Sequence, residues 1–319
     1  MCFNPYLMLR FKADYRTLAF VALYFIFALF PWILWDRLHS WEILLFVMIN
    51  CYLSFTCAVI VHNVIHVPIF YKNYINRVFQ SILSLTYGHP VSAYVPGHNF
   101  SHHKYTQTAK DAIRTSKARF SLNILNQITF FFLMSGSILR DEIRFAKKAR
   151  LQRPIWFRQY ILELILVFGI KIAALLINWK CFLLFMLLPH QYAAWGIVGT
   201  NFFQHDGCDE THEFNHSRNF TGKWFNWLMF NNGYHGAHHM KPNLHWSLLP
   251  EFYAKNLRPY IHPNLDRKDF LNYLFTAHIY PAKRIDYLAN PIVLKPAMPD
   301  VDWVEEIDLS AHSQDFAEA

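Results

Sequence analysis

Four stretches of this chain, roughly residues 18–35, 43–61, 160–177 and 181–200, are apolar over about the 20 residues that a bilayer-crossing helix needs. A backbone that lies in lipid over such a length must satisfy its own polar groups, so helices are the expected form. Composition agrees, with 54% hydrophobic and 16% charged residues, against about 45–50% and about 25% in soluble domains. Trp32, Trp35, Trp41, Trp156 and Trp179 fall near the ends of the runs, where an aromatic belt would sit. Glu163 and Lys171 interrupt the third run, and Lys171 is expected to snorkel or to face the protein interior.

Histidines cluster beside or near these runs. The clusters read His62-Asn-Val-Ile-His66, His98-Asn-Phe-Ser-His102-His103 and His235-Gly-Ala-His238-His239, and a lone Asn201-Phe-Phe-Gln-His205 follows the fourth run. Helix residues three or four apart share a face, so each cluster can turn two or three imidazoles to one point. Imidazole suits iron, zinc, copper and nickel. Nine are too many for one ion and enough for two. The adjacent pairs 102/103 and 238/239 point about 100° apart on a helix, a shape suited to two neighbouring metals. A zinc-protease reading fails because Asn63 stands where that motif needs Glu. The clusters hold no thiolate, and an all-nitrogen set suits iron and oxygen activation. Cys2, Cys51, Cys57, Cys181 and Cys208 form no CxxC pair and read as small hydrophobes.

A fifth apolar run, about 122–139, is expected to be interfacial or re-entrant. If all clusters share one site, the chain must cross the membrane an even number of times between His103 and His205, and the runs at 160–177 and 181–200 already supply two crossings. Lys and Arg are dense from Arg140 to Arg153 and recur at Arg10, Lys12 and Arg16, whereas the connections 36–42 and 178–180 carry only Arg37 and Lys180. The positive-inside rule then puts both termini and every histidine cluster on the cytoplasmic side of a multi-pass integral membrane protein. The net charge of +8 is read as topology and anionic headgroups, not nucleic acid. No signal peptide is expected, since the first apolar run is too long and lacks a small-x-small site. The expected organisation is one membrane domain over 1–265, with residues 223–234 as an interfacial helix or cap, then a cytoplasmic tail over 266–319. The acidic end of that tail (Asp300, Glu305, Glu306, Asp308) is expected to be mobile.

In the order, spacing and placement of its boxes, the chain resembles the integral-membrane fatty acid desaturase/hydroxylase superfamily over most of residues 15–265. The resemblance implies an all-α integral membrane fold of four transmembrane helices with a cytosolic helical cap carrying the histidine boxes. It implies two iron ions with O2 as co-substrate: one iron on His62, His66, His98, His103 and His239, the other on His102, His205, His235 and His238, with Asn201 reaching a metal through water. The implied reaction takes hydrogen from an unactivated C–H bond of a fatty acyl chain, most simply to form a double bond. Hydroxylation, or oxidative decarboxylation of a free acid to a terminal alkene, is the alternative. The stretches Gln204–Cys208 and Asn231–His235 resemble bacterial members in which such outcomes occur. A non-enzymatic metal transporter is a remote alternative, since its ligands should lie near the midplane of the spans. A membrane lipid or fatty acyl substrate is implied, as is a separate electron donor, ferredoxin or cytochrome b5 with its reductase. The chain shows no His-Pro-Gly-Gly motif and no ferredoxin cysteine set.

Other residues are weighed against ordinary roles. Lys104, Lys110, Arg114 and Lys223 are candidates for a polar head group, although a solvated or lipid-facing role is the plainer reading. An acyl tunnel is expected near 43–61 and 181–200. His190 reads as a satisfied polar residue at a kink and His245 as structural. His212 and His216, also four apart, are left open between a loop-ordering or imidazole-supporting role and, less favoured, a ligand role. Asp206, Asp209, Glu210 and Glu213 are possible partners of ligand imidazoles.

Overall fold

The computed structural model describes residues 8–294 and 296–309. Cys2, His312 and the last residues of the expected tail lie outside the described residues. The fold is almost entirely helical, and the one sheet among the described residues is a two-residue parallel pair, β1 (Asn219–Phe220) on β2 (Asp266–Arg267). Four helices are long and apolar enough to cross a membrane: α1 (Asp14–Ile33), α2 (Ser40–His66), α5 (Pro154–Ile177) and α6 (Trp179–His205).

Three of these helices, α2, α5 and α6, extend past their apolar runs for local reasons. The Glu42 carboxylate accepts the His39 N–H at 2.7 Å, so α2 begins before its apolar core. It then meets no helix breaker until Pro68, which carries the helix through both His62 and His66. Pro154 opens α5 at a position where its missing N–H costs nothing. Asn178 caps α6, its Oδ1 accepting from the N–H groups of Lys180 and Cys181 at 3.1 and 3.2 Å. Helix α6 contains a π segment at Leu183–Leu187, runs through Asn201 to His205, and stops before Gly207, whose φ is +74°. A side chain at Gly207 would also strike the Ile285 carbonyl oxygen, 2.5 Å from where its Cβ would be.

The chain forms two compact units. The first comprises the chain through Val95, Ala146–Ile197 and the chain from Asp308 onward. In it α1 packs on α2, and α3 (Asn73–Tyr87) packs on α2 and α5. The two charges inside the third span both turn inward, as membrane cost requires. The carboxylate of the fully buried Glu163 accepts from Ser92 N and Gln159 Nε2, both at 2.8 Å, and Lys171 Nζ donates to the Gly88 carbonyl at 2.6 Å. The outer face of α5 leaves Ile165, Phe168, Ile172 and Leu176 exposed, an arrangement that suits lipid. His190 is buried, with Nε2 2.8 Å from the Tyr24 hydroxyl.

The second unit comprises Pro96–Phe145 and Val198–Ile307. Helix α4 (Asn123–Gln152) contains the fifth apolar run but is not one of the four candidate spans. It is two-faced: Asn123, Asn126 and Gln127 are buried, while Ile128, Phe132 and Leu139 are exposed. Short helices α7 (Lys223–Leu228), α8 (His235–Met240) and α9 (Leu249–Asn256) follow. One core of this unit joins Ala237, Leu249, Tyr253, Leu257, Ile261 and Leu265.

The acidic segment expected to be mobile is instead packed. Asp300 pairs with Arg114 at 2.5 Å, Lys117 at 2.9 Å and Arg140 at 3.1 Å. Trp303 is 1% exposed, stacks on Phe100, and donates its indole N–H to Asp141 at 2.9 Å. Lys110 reaches Glu306 at 2.5 Å and Arg144 reaches Asp302 at 2.6 Å. The charge that marks the segment as a solvated end is complementary to a basic surface brought together from residues 110–144.

Candidate metal centre

The second histidine box is not α-helical. Residues Pro96–His102 form a π-helix, followed by a single α turn at His103–Tyr105. A π turn bonds residue i to i+5, which brings residues five apart nearer to one face than an α turn does. His98 therefore faces His103, with their Nε2 atoms 3.0 Å apart, and His102 turns elsewhere. His98 and His102, four apart, still stack with ring centroids 5.6 Å apart, and the closer approach of His98 to His103 agrees with the pairing that the family resemblance implies.

Helix α8 divides the third box between two groups. His235 and His239 are four residues apart, and their Nε2 atoms approach to 3.1 Å. His205, at the end of α6, brings its Nε2 to 2.8 Å from the same atom of His235. His102 completes this group, its ring centroid 4.8 Å from that of His205 and 4.9 Å from that of His239. His238 points the other way and places Nε2 3.0 Å from His103 Nε2. The second unit thus holds His102, His205, His235 and His239 as one group, with His98, His103 and His238 beside it. The His103 and His239 rings, 4.3 Å apart, adjoin the two. In the first unit, His62 and His66 close α2 with ring centroids 5.6 Å apart.

This grouping corrects one implied assignment: His238 and His239 exchange places. The reason is helical geometry. At 100° per residue, His239 lies about 40° round the helix from His235 and His238 about 60° the other way, so His239 is the one that shares the His235 face.

The nitrogen contacts fit a cation better than a hydrogen-bond network. Each imidazole nitrogen offers one hydrogen or one lone pair. His235 Nε2 nevertheless faces both His205 and His239, and His103 Nε2 faces both His98 and His238. Neither atom can satisfy two such neighbours with hydrogen bonds. His102 Nε2 is buried and has no hydrogen-bond partner. Two nitrogens on one ion at about 2.1 Å, a right angle apart, would be about 3.0 Å from each other, close to the spacings seen. Burial first, then the neighbouring imidazoles, hold His239 well below the ordinary histidine range, so it is neutral near pH 7, the ligating form.

The far nitrogens of two of these imidazoles are fixed. His102 Nδ1 donates to Asp111 Oδ2 at 3.0 Å, and His205 Nδ1 donates to the His216 carbonyl at 3.1 Å. Such contacts set the tautomer and aim Nε2 at the site. Asp111 had no place in the sequence reading. Its signal was present, since it is the only acidic residue between Glu42 and Asp141. His216 orders the site through its backbone, and its own ring, pushed down to about 4 by burial and then by His212, lies against Ser217 Oγ at 2.7 Å.

The remaining candidates fall elsewhere. Asn201 sits one turn before His205, its amide N–H donated to the Ile113 carbonyl at 3.0 Å. Asp206 is bound by Arg284 at 2.6 Å and so does not orient an imidazole. His212 is exposed, and its Nδ1 accepts the Phe214 N–H. His245 caps a turn, with Nδ1 accepting from Ser247 N at 3.3 Å. Lys110 and Arg114, candidates for a polar head group, are paired with Glu306 and Asp300. Lys104 lies over the Tyr105 ring and Lys223 opens α7. A cavity of about 710 Å³ reaches His205 between Lys117, Arg119, Arg284 and the apolar segment Pro291–Leu294.

The family described as fatty acid desaturase matches residues 39–268, a span that contains all nine histidines. No curated protein sequence matches the chain.

Proposed function

Because the chain belongs to the fatty acid desaturase family, we propose that it is an O2-dependent membrane oxidoreductase that introduces a double bond into a fatty acyl chain. The observation that carries this reading is the convergence of His102, His205, His235 and His239 through nitrogens that cannot satisfy one another. We assign that group to one iron. His98, His103 and His238 would hold a second, to which the family resemblance alone adds His62 and His66. Two bound irons would supply activation of O2 and removal of hydrogen from an unactivated C–H bond.

The chain's own residues do the positioning. Asp111 and the His216 carbonyl hold His102 and His205 in one tautomer each. Asn201, fixed by the Ile113 carbonyl, is given a supporting place toward the His205 group. Where the acyl chain is held decides which C–H bond is attacked, and the apolar wall of the cavity at His205 is a candidate approach. The proposal includes a cytoplasmic site and termini, as the basic segments argue. It also includes a separate electron donor of ferredoxin or cytochrome b5 type.

The test is mass spectrometry of products from expressing cells fed isotope-labelled stearate. An unsaturated acid with unchanged carbon number is expected. A hydroxylated acid, or a 1-alkene one carbon shorter, would replace desaturation by one of the other outcomes of the same centre. Absence of metal-dependent O2 consumption with a competent reductant would overturn the oxidoreductase reading altogether.

A further inference from the structure

A second cavity, about 200 Å³ and wholly within the second unit, gathers cations that the oxidation does not use. Arg218, Arg267 and Lys283 line it, with Tyr273 and Asn264. Its two acids are already engaged. Asp206 takes Arg284 through both carboxylate oxygens at 2.6–3.2 Å, and Asp286 accepts the backbone N–H groups of Leu288 and Asn290 at 2.9 and 2.8 Å.

The guanidinium groups are less well provided for. Arg218 is 4% exposed, spends NH1 and NH2 on the carbonyls of Phe203 and Asp206 at 2.6 and 3.0 Å, and lies over the Tyr273 ring at 4.7 Å, while its Nε is buried without a hydrogen-bond partner among the described residues. The Arg267 guanidinium makes no hydrogen bond among the described residues, and its Nε is likewise buried. Burial first, then the Arg218 charge, works against the charge on Arg267. A buried donor without an acceptor costs about 1–3 kcal/mol, and like charges in a partly dry cavity repel. One anion between the two arginines would relieve both costs.

We propose that this cavity is a binding site for a phosphate-type oxyanion, held by Arg267, Lys283 and the free edge of Arg218. Phosphate suits it better than a single carboxylate, because its oxygens can meet two planar forks and an ammonium at once. The site lies directly behind the metal group: the two carbonyls that Arg218 holds flank His205 on α6. A lipid headgroup and free phosphate share this chemistry.

The experiment uses the full-length, metal-loaded protein in maltoside micelles, which carry no phosphate, and follows its thermal unfolding midpoint against inorganic phosphate. A saturable rise is expected, and Arg267→Ala and Lys283→Ala should each weaken phosphate binding by about tenfold or more. Without phosphate, Arg267→Ala should be as stable as the parent or more so, because it removes one of two facing cations. A structural arginine would behave in the opposite way. Repeating the titration in phosphatidylglycerol nanodiscs separates the sources. A phosphate effect that persists there assigns the site to free phosphate. Its replacement by a raised midpoint that Arg267→Ala abolishes assigns the site to a headgroup. No saturable rise in micelles, a rise unchanged in Arg267→Ala, or a lower phosphate-free midpoint for that variant would overturn the proposal.

Discussion

Asp111 accepts a hydrogen bond from His102 Nδ1 at 3.0 Å, and both side chains are wholly buried. The same carboxylate accepts the N–H groups of Gln107 and Ile113, at 2.8 and 2.9 Å, so it ties a ligand to the loop that follows it. Asp111→Asn should weaken metal binding about 10–100-fold, the usual consequence of losing a carboxylate behind a ligating imidazole. Competition against a chelator measures this, and unchanged affinity would show that His102 is aimed by packing alone.

The exchange of His238 and His239 has a consequence in metal stoichiometry. His98 and His238 belong to one group, so His98→Ala combined with His238→Ala should lose one ion. His98→Ala combined with His239→Ala should lose both. Mutations within one group are non-additive and mutations in different groups add. Metal per chain by mass spectrometry decides it, and the reverse pattern would restore the pairing implied by family resemblance.

Trp303 anchors the acidic segment beneath the second histidine box through Phe100, which lies in the π-helix between His98 and His102. Trp303→Ala should cost about 3–5 kcal/mol, as for other buried aromatics. Denaturant unfolding measures this cost. Trp303→Phe keeps an aromatic ring but gives up the bond to Asp141 and part of the indole's bulk, so its loss should be smaller, about 2 kcal/mol. Equal, small losses for both would mean that the segment detaches without effect.

Asp300 should make stability depend on acid. Burial works to raise its pKa, but hydrogen bonds from Ser137, Lys117 and Arg114 outweigh burial and hold it well below the ordinary carboxylate range. A carboxylate depressed in the folded state contributes stability above its unfolded value of about 3.9, and this is lost as pH falls through the folded value. The unfolding midpoint of the parent should therefore fall more steeply below about pH 4 than that of Asp300→Asn. At neutral pH the variant should be less stable by about 3 kcal/mol, the low end for a broken buried pair, since Arg114 stays buried. Parallel pH profiles would remove the role given to Asp300.

Much of the site could be read from sequence because its signals are local. Hydropathy over a helix length found the four spans, and HxxxH spacing found candidate ligands without reference to the rest of the chain. The reading was incomplete where it counted by α-helical spacing: in the π-helix His98 meets His103 most closely, as the family resemblance implied and HxxxH spacing did not. It failed where charge was judged in isolation. Lys110, Arg114 and Asp300 each look solvated in sequence, yet in space Lys110 meets Glu306 and Arg114 meets Asp300.

By itself the sequence determined that this chain is helical, that four helices can cross a membrane, and that imidazoles, not thiolates, are the groups gathered where a metal could be held. Those properties follow from side-chain polarity and backbone hydrogen bonding within a few turns. Tertiary structure decided which imidazoles share a centre, that Asp111 stands behind His102, and that the acidic segment is packed. Such outcomes depend on the direction in which a side chain leaves its helix and on which charges meet across nearly two hundred residues of chain. Neither quantity is present in any short window of residues.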